Sequence, residues 1–555
     1  MRKSAKRLLA GLVLSLSMLS GQALAAVPAS PAEVNEYTAE CSNGRFIGAK
    51  EKETGVISFK GVPFAEQPTG RLRFRAPQPA KDSRAVFKAQ EYGPIAVQLH
   101  NPAKGMIKEK MGEDCLNLNI WTSSLKKQKK PVMFWIHGGS YNVDDPSRAV
   151  YDGQFLAKEY KDIVVVTVSY RMNVLGFIDL SRLKGGENYP DSQYLGYLDV
   201  REALKWVRKN IASFGGDPDN VTVFGESAGS GMVTCLMSDK SNEGLFRHAI
   251  AQSGAYNISH SQQNYDQNKY TALFMEAAGI KTLEELLNLP AEKITEVLTR
   301  NAQKFDGLNG FPLRGGRSPI PADIVKALKD GAAKDVDLII GTDKDEMRYW
   351  IHEMGQDSDE KNLAAYNILA DTFVRGYRRV MTPEENKRLD EYLKLPIFDE
   401  DKYSVQYPAV WRNTDAISAI TFRLPALKMA EAHIMAGGRG RTYMYYFAKR
   451  TDYNDFLGAQ HNSEIPYVFN NVKVAKHIGC ADYGTIKPEL AARLSAAWAS
   501  FAKSGNPSAK GFVWKEYDLK DRETLVVGDD GTLTMVKDPA PEERGYLDFS
   551  YKYVR

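Results

Sequence analysis

Six mainly apolar runs, at 132–136, 163–169, 221–224, 249–252, 336–340 and 443–447, have the length of β-strands. Near-continuous apolarity, rather than alternation, suits strands covered on both faces, as in a parallel sheet. Between them the apolar positions change period. Val200, Leu204, Val207 and Ile211 recur at four, three and four residues, the stripe of an amphipathic helix. Strands alternating with helices predict an α/β fold, a large and mostly parallel central sheet wrapped by helices on both faces. Residues 355–435 are richer in charge and helical in pattern, which predicts a cap or subdomain beside the sheet. The chain shows no internal repeat and no low-complexity linker, so residues 26–555 read as one large domain.

The run at 221–224 leads straight into Gly225-Glu226-Ser227-Ala228-Gly229, and Met232, Val233 and Leu236 then take up a helical period. A G-x-S-x-G sequence between strand and helix places its serine on a sharp turn with the hydroxyl clear of the sheet. The helix that follows aims its first amides at the same point and favours negative charge there. Ser227 is therefore the candidate nucleophile, and the N–H of Ala228 is a candidate donor to an oxyanion.

Phe214-Gly215-Gly216, followed after four residues by Val221-x-Val223-x-Gly225-x-Ser227-Ala228-Gly229, resembles the active-serine signature of the type-B carboxylesterases, the cholinesterase-like branch of the α/β-hydrolases. Further matching stretches occur in the expected order. They are Gly61-Val62-Pro63-Phe64-Ala65 with Arg73-Phe74, Glu113-Asp114-Cys115-Leu116-Asn117-Leu118-Asn119-Ile120, Trp135-Ile136-His137-Gly138-Gly139, and Val168-Ser169-Tyr170-Arg171 with Leu175-Gly176-Phe177. Trp498-Ala499-Ser500-Phe501-Ala502 with Gly505-Asn506-Pro507 extends the likeness from about residue 40 to the C-terminal segment. The resemblance implies an α/β-hydrolase fold and carboxylic-ester hydrolysis on a small-molecule ester without metal or organic cofactor.

A serine hydroxyl needs a base, and the base needs a carboxylate to hold its tautomer. In α/β-hydrolases the chain order is serine, acid, histidine. That order sets aside His100, His137 and His248; His260, His352 and His433 fit poorly by position. His461, in a loop after the run at 443–447, is the candidate base, with His477 a weaker competitor. Asp343, Asp345 and Glu346 all follow the run at 336–340, and residue chemistry alone leaves them nearly level; turn formation and helix capping are the plain roles for the two aspartates. The family likeness implies Glu346, from a Gly-x-x-x-Asp-Glu stretch, although Met347 stands where the family has glycine. His137-Gly138-Gly139-Ser140 resembles the HGGG-type loop, which implies Gly139 and Ser140 as further oxyanion donors. Ser140 replaces the third glycine, so its φ is expected to stay negative. Glu226, Ser253 and Glu464 match family positions around the reacting set, where a buried acidic network is implied.

Composition narrows partners and location. A net charge of +4 on 555 residues makes no case for nucleic acid, and the basic stretch at 126–130 reads as a solvated turn. Arg2, Lys3, Lys6 and Arg7, the apolar residues 8–19 and Ala23-Leu24-Ala25 form a signal peptide with cleavage expected after Ala25, and hence a secreted or periplasmic protein. The apolar region is shorter than the ~20 residues a spanning helix needs, so stable membrane insertion is not expected. Four cysteines, Cys41, Cys115, Cys235 and Cys480, allow three complete pairings. The likeness implies an upstream partner for Cys115, a part Cys41 is placed to take, whereas Cys235 reads as a buried thiol. No tryptophan lies between residues 40 and 114, where cholinesterases carry one for a quaternary ammonium, so choline esters are not expected. Arg314 and Arg317 are either solvated loop residues or positive charge at the mouth. Thioester, carbamate and amide hydrolysis, or a non-catalytic binding module, are the alternatives.

Overall fold

The computed structural model describes residues 27–99, 110–126, 128–254, 267–305, 313, 319–355, 363–379, 381–398, 408–452, 456–474, 477–478 and 481–549. The expected signal peptide, Cys480, His100, His260, Arg314 and Arg317 lie outside them. The main sheet has eleven strands, in chain order β1 (Ala49–Lys50), β2 (Ile57–Pro63), β3 (Asn117–Thr122), β4 (Lys130–Ile136), β5 (Val164–Val168), β6 (Gly216–Glu226), β7 (His248–Gln252), β8 (Asp337–Asp343), β9 (Thr442–Phe447), β10 (Glu523–Val527) and β11 (Leu533–Lys537). Across the sheet they run β11-β10-β9-β8-β7-β6-β4-β5-β3-β2-β1. Strands β10 to β5 in that order are mutually parallel, and the flanking pairs are antiparallel. This is the α/β-hydrolase fold. A separate four-stranded sheet is built from the N-terminal region.

All six apolar runs fall in central strands. Strand geometry explains why they carry no polar face: successive side chains point to opposite sides, and both sides are covered. On β4, Val132, Phe134 and Ile136 enter one core with Val166 of β5 and Val223 of β6. Met133 and Trp135 enter the other, with Val165 and Phe224. Helix α1 (Leu195–Asn210) closes the first face; the predicted stripe residues Val200, Leu204, Val207 and Ile211 are all fully buried, Ile211 in the turn just past the helix. A C-terminal helix, Pro488–Ser504, closes the second with Leu490, Leu494, Trp498 and Phe501. The described residues between 363 and 435 are predominantly helical. Among the described residues no helix is long and apolar enough to cross a membrane.

β8 runs three residues beyond its predicted end, and that extension carries Asp343 to the sheet's C-terminal edge. Of the pairings left open by the sequence, Cys41–Cys115 is not formed. Cys41 closes a hairpin of the small sheet opposite Gly44, Cys115 is buried just ahead of β3, and both are free thiols, as is buried Cys235.

Two ion pairs, the first partly and the second wholly buried, fasten the loops to this frame. Arg73 pairs with Glu113 through Nε at 2.7 Å and donates to the carbonyls of Leu286, Leu287 and Leu289. Arg171, just past β5, grips Asp199 of α1 through Nε at 2.8 Å and Nη2 at 2.7 Å, and its own N–H donates to the same carboxylate at 3.0 Å. Both partners of the second pair are buried, so removing one strands the other charge. Asp199→Ala is expected to lower unfolding stability by about 3–5 kcal/mol, measured by urea denaturation, whereas a loss below about 1 kcal/mol refutes the account.

Candidate active site

β6 ends at Glu226 and helix α2 (Ala228–Ser238) begins two residues later, so the whole reversal falls on Ser227. Its backbone sits at φ 55°, ψ −123°, a region costing a non-glycine residue about 1–3 kcal/mol. Two bonds hold it there: the Ser227 N–H donates to Gln252 O at 2.9 Å, and its carbonyl accepts from Gly231 N–H at 2.9 Å. The glycines of the motif are steric necessities. A Cβ on Gly229 would lie 2.0 Å from the Ile136 carbonyl oxygen, and one on Gly225 would lie 2.7 Å from the backbone of Gly229 and of Ile136. Helix and strand meet backbone to backbone here, and the serine is expelled from the sheet.

The loop after β4 is pinned beside this turn. The His137 ring stacks on Tyr170 with centroids 4.4 Å apart, and Tyr170 Oη donates to the His137 carbonyl at 2.9 Å. Burial pushes the His137 imidazole below its ordinary pKa, which favours the neutral ring. Gly139 has φ 91°, and Ser140 has φ 53°, so the expectation of a negative φ at Ser140 is wrong. The loop is clamped from both sides: Gly139 O accepts from Asn142 N–H and Val143 N–H at 3.0 Å each, Ser140 O from Asn142 Nδ2 at 2.6 Å, and Tyr141 O from Asn173 N–H at 2.7 Å. These bonds offset the ~1 kcal/mol that a left-handed serine costs. The N–H groups of Gly139, Ser140 and Ala228 have no acceptor among the described residues. Gly138 lies against both the Glu226 carboxylate and Ser227: a Cβ there would be 2.9 Å from Glu226 Oε2 and 3.0 Å from Ser227 Cβ.

His461 is buried between two carboxylates. Its Nδ1–H donates to Glu346 Oε2 at 2.5 Å, and Nε2 lies 3.0 Å from Glu226 Oε1. Burial opposes charge on the imidazole, but the anions of Glu226 and Glu346 outweigh it and lift the pKa to about 10. The sequence-predicted Glu346 and His461 thus meet directly. Ser227 Oγ makes no hydrogen bond to His461 in this structure; Nε2 is turned to Glu226 instead.

The other expected residues converge behind this pair. Ser253, at φ 48°, offers its Oγ to Asp343 N–H at 3.3 Å, and the same N–H donates to Glu346 Oε1 at 2.9 Å. Glu464 Oε1 accepts from Gln252 Nε2 at 3.0 Å and Tyr445 Oη at 3.3 Å, while Gln252 Oε1 accepts from Trp498 Nε1 at 3.1 Å. Asp345 accepts from Ala459 N–H at 2.9 Å and pairs with Arg348 at 2.9 Å, a loop-fastening role. Asp343 is no solvent turn residue: it is buried, and its Oδ2 accepts from Ser463 N–H at 2.9 Å.

Sequence reasoning missed an aromatic wall on the imidazole. Trp350, Phe422 and Tyr349 lie 4.6, 5.1 and 6.0 Å from His461, centroid to centroid. Tyr349 and Trp350 follow Glu346 by three and four residues on the helix Arg348–Gly355, a signal present in the sequence. Phe422 arrives on a π-helical turn, Ala419–Arg423, and has none.

The carboxylesterase family model matches residues 35–543. Para-nitrobenzyl esterase of Bacillus subtilis (strain 168) is 32% identical over 507 residues, spanning 89% of this chain and 95% of the relative. Acetylcholinesterase of Bungarus fasciatus is 30% identical over 83% of this chain and 77% of its own length. A crystal structure of a Geobacillus stearothermophilus carboxylesterase superposes with a TM-score of 0.74 at 32% identity, covering 92% and 99% of the two chains. The chain belongs to the carboxylesterase family. It is a carboxylic-ester hydrolase, and the esterase carries its strained serine, its imidazole–carboxylate pair and three unengaged amides at one edge of one sheet.

Its imidazole charge is also a stability contribution. The folded pKa lies above the unfolded 6.5, so the contribution is complete below about pH 6.5 and is lost as pH rises through about 10. By NMR titration the His461 ring is expected to titrate near 10, and in Glu226→Gln to fall toward the ordinary imidazole range; an unchanged value refutes the ion pair.

Proposed function

We propose that the esterase works through Ser227, His461 and Glu346 by way of an acyl-enzyme. Ser227 Oγ attacks the ester carbonyl carbon and its proton passes to His461 Nε2. The carbonyl oxygen, now negative, is held by the N–H groups of Gly139, Ser140 and Ala228. Collapse of this intermediate expels the alcohol, which leaves with the His461 proton. Water then repeats the sequence and releases the acid. Glu346 holds the imidazole tautomer and stabilises its charged form. Glu226 lies against Nε2 and keeps the ring charged in the resting site, so rotation of that side chain and loss of the Nε2 proton to water give the neutral imidazole that serves the serine. Glu226, Ser253 and Glu464 serve as supports around the reacting set. The observation that carries this reading is the buried His461–Glu346 bond beside the strained Ser227 turn.

The substrate is a small-molecule ester. The basic, apolar and A-x-A segments at the N-terminus support export with cleavage after Ala25, leaving one carboxylesterase-type domain over 26–555 with a helical cap near 355–435. Mass spectrometry of the exported protein is expected to show Ala26 as its first residue; a retained leader refutes the processing.

An organophosphate probe is expected to label Ser227 stoichiometrically, and Ser227→Ala to lower kcat for a para-nitrobenzyl or nitrophenyl ester by on the order of 10⁶ while folding as the wild type does. Absence of both labelling and turnover identifies a binding module instead. A nitrophenyl panel graded in acyl length, with and without acidic groups, reports the acyl preference.

A further inference from the structure

The carboxyl of Asp343 has no part in the reaction steps above, yet it sits at the junction of the two loops that deliver the acid and the base. Through its own backbone N–H it holds Glu346 Oε1 at 2.9 Å, and through Oδ2 it holds Ser463 N–H at 2.9 Å, two residues past His461. Its second oxygen is the anomaly. Asp343 Oδ1 and Glu464 Oε2 are both buried, and neither receives an N–H or O–H from any described residue, although the two carboxyls lie against each other. Buried carboxyl oxygens without a donor carry the full desolvation cost, and two ionised carboxylates in contact repel. One proton between them answers both problems, because one carboxyl becomes a donor and the other remains its acceptor.

We propose that Asp343 and Glu464 share a single proton, and that Asp343 so held is the positioning residue that keeps Glu346 and the His461 loop in register. The groups facing the pair are consistent with this. Glu346 and Ser253 flank Asp343, while Gln252 and Tyr445 donate to Glu464 Oε1, so the donors present are spent on the other oxygen of each carboxyl. Glu226 adds a further anion near Glu464. Burial and the neighbouring carboxylates push Asp343 well above the usual carboxylate range, and burial with the Glu226 charge lifts Glu464 to about 7. With one proton the pair carries one negative charge rather than two, and the imidazole faces a smaller anionic load.

Folding near neutral pH therefore takes up about one proton, and the sign follows. Both carboxyls titrate higher folded than unfolded, so the pair's contribution is complete below their ordinary values near 4 and is lost as pH rises to about 7 and beyond. Asp343→Asn preserves the shape: its Oδ1 takes the Ser463 N–H and its Nδ2 donates permanently to Glu464 Oε2, so no proton is needed.

The test is made on the full mature chain. The infrared difference spectrum of wild type minus Asp343→Asn at about pH 6 is expected to show the C=O stretch of a protonated carboxyl. Urea stability measured from about pH 5 to about pH 8 is expected to fall in the wild type with an extra slope of about one proton relative to Asp343→Asn. Asp343→Ala, which also releases Ser463, is expected to lower kcat for a nitrophenyl ester by about 10-fold or more with KM within about threefold, and Asp343→Asn to recover most of that loss. No Asp343-dependent carboxyl band, or equal pH slopes, overturns the proposal, and so does an Asp343→Asn as slow as Asp343→Ala. The proposal rests on Ser227, His461 and Glu346 as the reacting set. Should Ser227→Ala retain turnover, that reading fails, while the infrared and stability results still decide the shared proton. Should Asp343→Ala not fold, the Asp343→Asn spectrum decides alone.

Discussion

Two buried carboxyl groups, Glu226 and Glu346, flank the imidazole of His461, and two more, Asp343 and Glu464, lie buried behind them. Coulomb repulsion among anions grows as the local dielectric falls, so full ionisation of all four is not an available state. The site must distribute charge. Two of the carboxylates are balanced against His461, and the other two resolve their conflict by protonation. The contacts around the imidazole follow from that constraint: the hydrogen bond of Nδ1 to Glu346, the approach of Nε2 to Glu226, and the spending of Gln252 and Tyr445 on Glu464.

The sheet makes this crowding affordable to the fold because the polar groups leave the ends of four neighbouring strands. Glu226 closes β6, Ser253 follows β7, Asp343 closes β8, and the His461 loop comes after β9. Parallel neighbours in register place these ends side by side, with Ala251 opposite Gly225 and Ile340. Two dry aromatic and aliphatic cores hold the strands from both faces, so the positions of the polar groups are fixed by packing and not by their own mutual forces.

Much of this was legible before any coordinates. The central strands announced themselves because both faces are apolar, and Gly225 and Gly229 because only glycine permits the backbone approach around Ser227. His461 followed from chain order, whereas Glu346 needed the family likeness, since Asp343 and Asp345 are chemically equivalent candidates in a written sequence. Ser140 was misjudged because local preference says nothing about the hydrogen bonds from Asn142 and Asn173 that hold its carbonyl neighbours. Asp343 was misjudged for a related reason: an aspartate past a strand usually turns toward water, and only the depth of β8 in the sheet reveals that this one does not. Phe422 was invisible because a π-turn has no sequence period to betray it.

That turn has a consequence of its own. A π-helical segment holds one residue more than an α-helix would over the same path, and each residue rotates a helical side chain by about 100°. Loss of a single residue within 419–423 would regularise the helix and swing a different side chain onto the imidazole face now covered by Phe422, leaving the sheet and its strand ends untouched. The surface a substrate meets on that side is thus adjustable by insertion or deletion alone, a route of diversification that spares the chemistry.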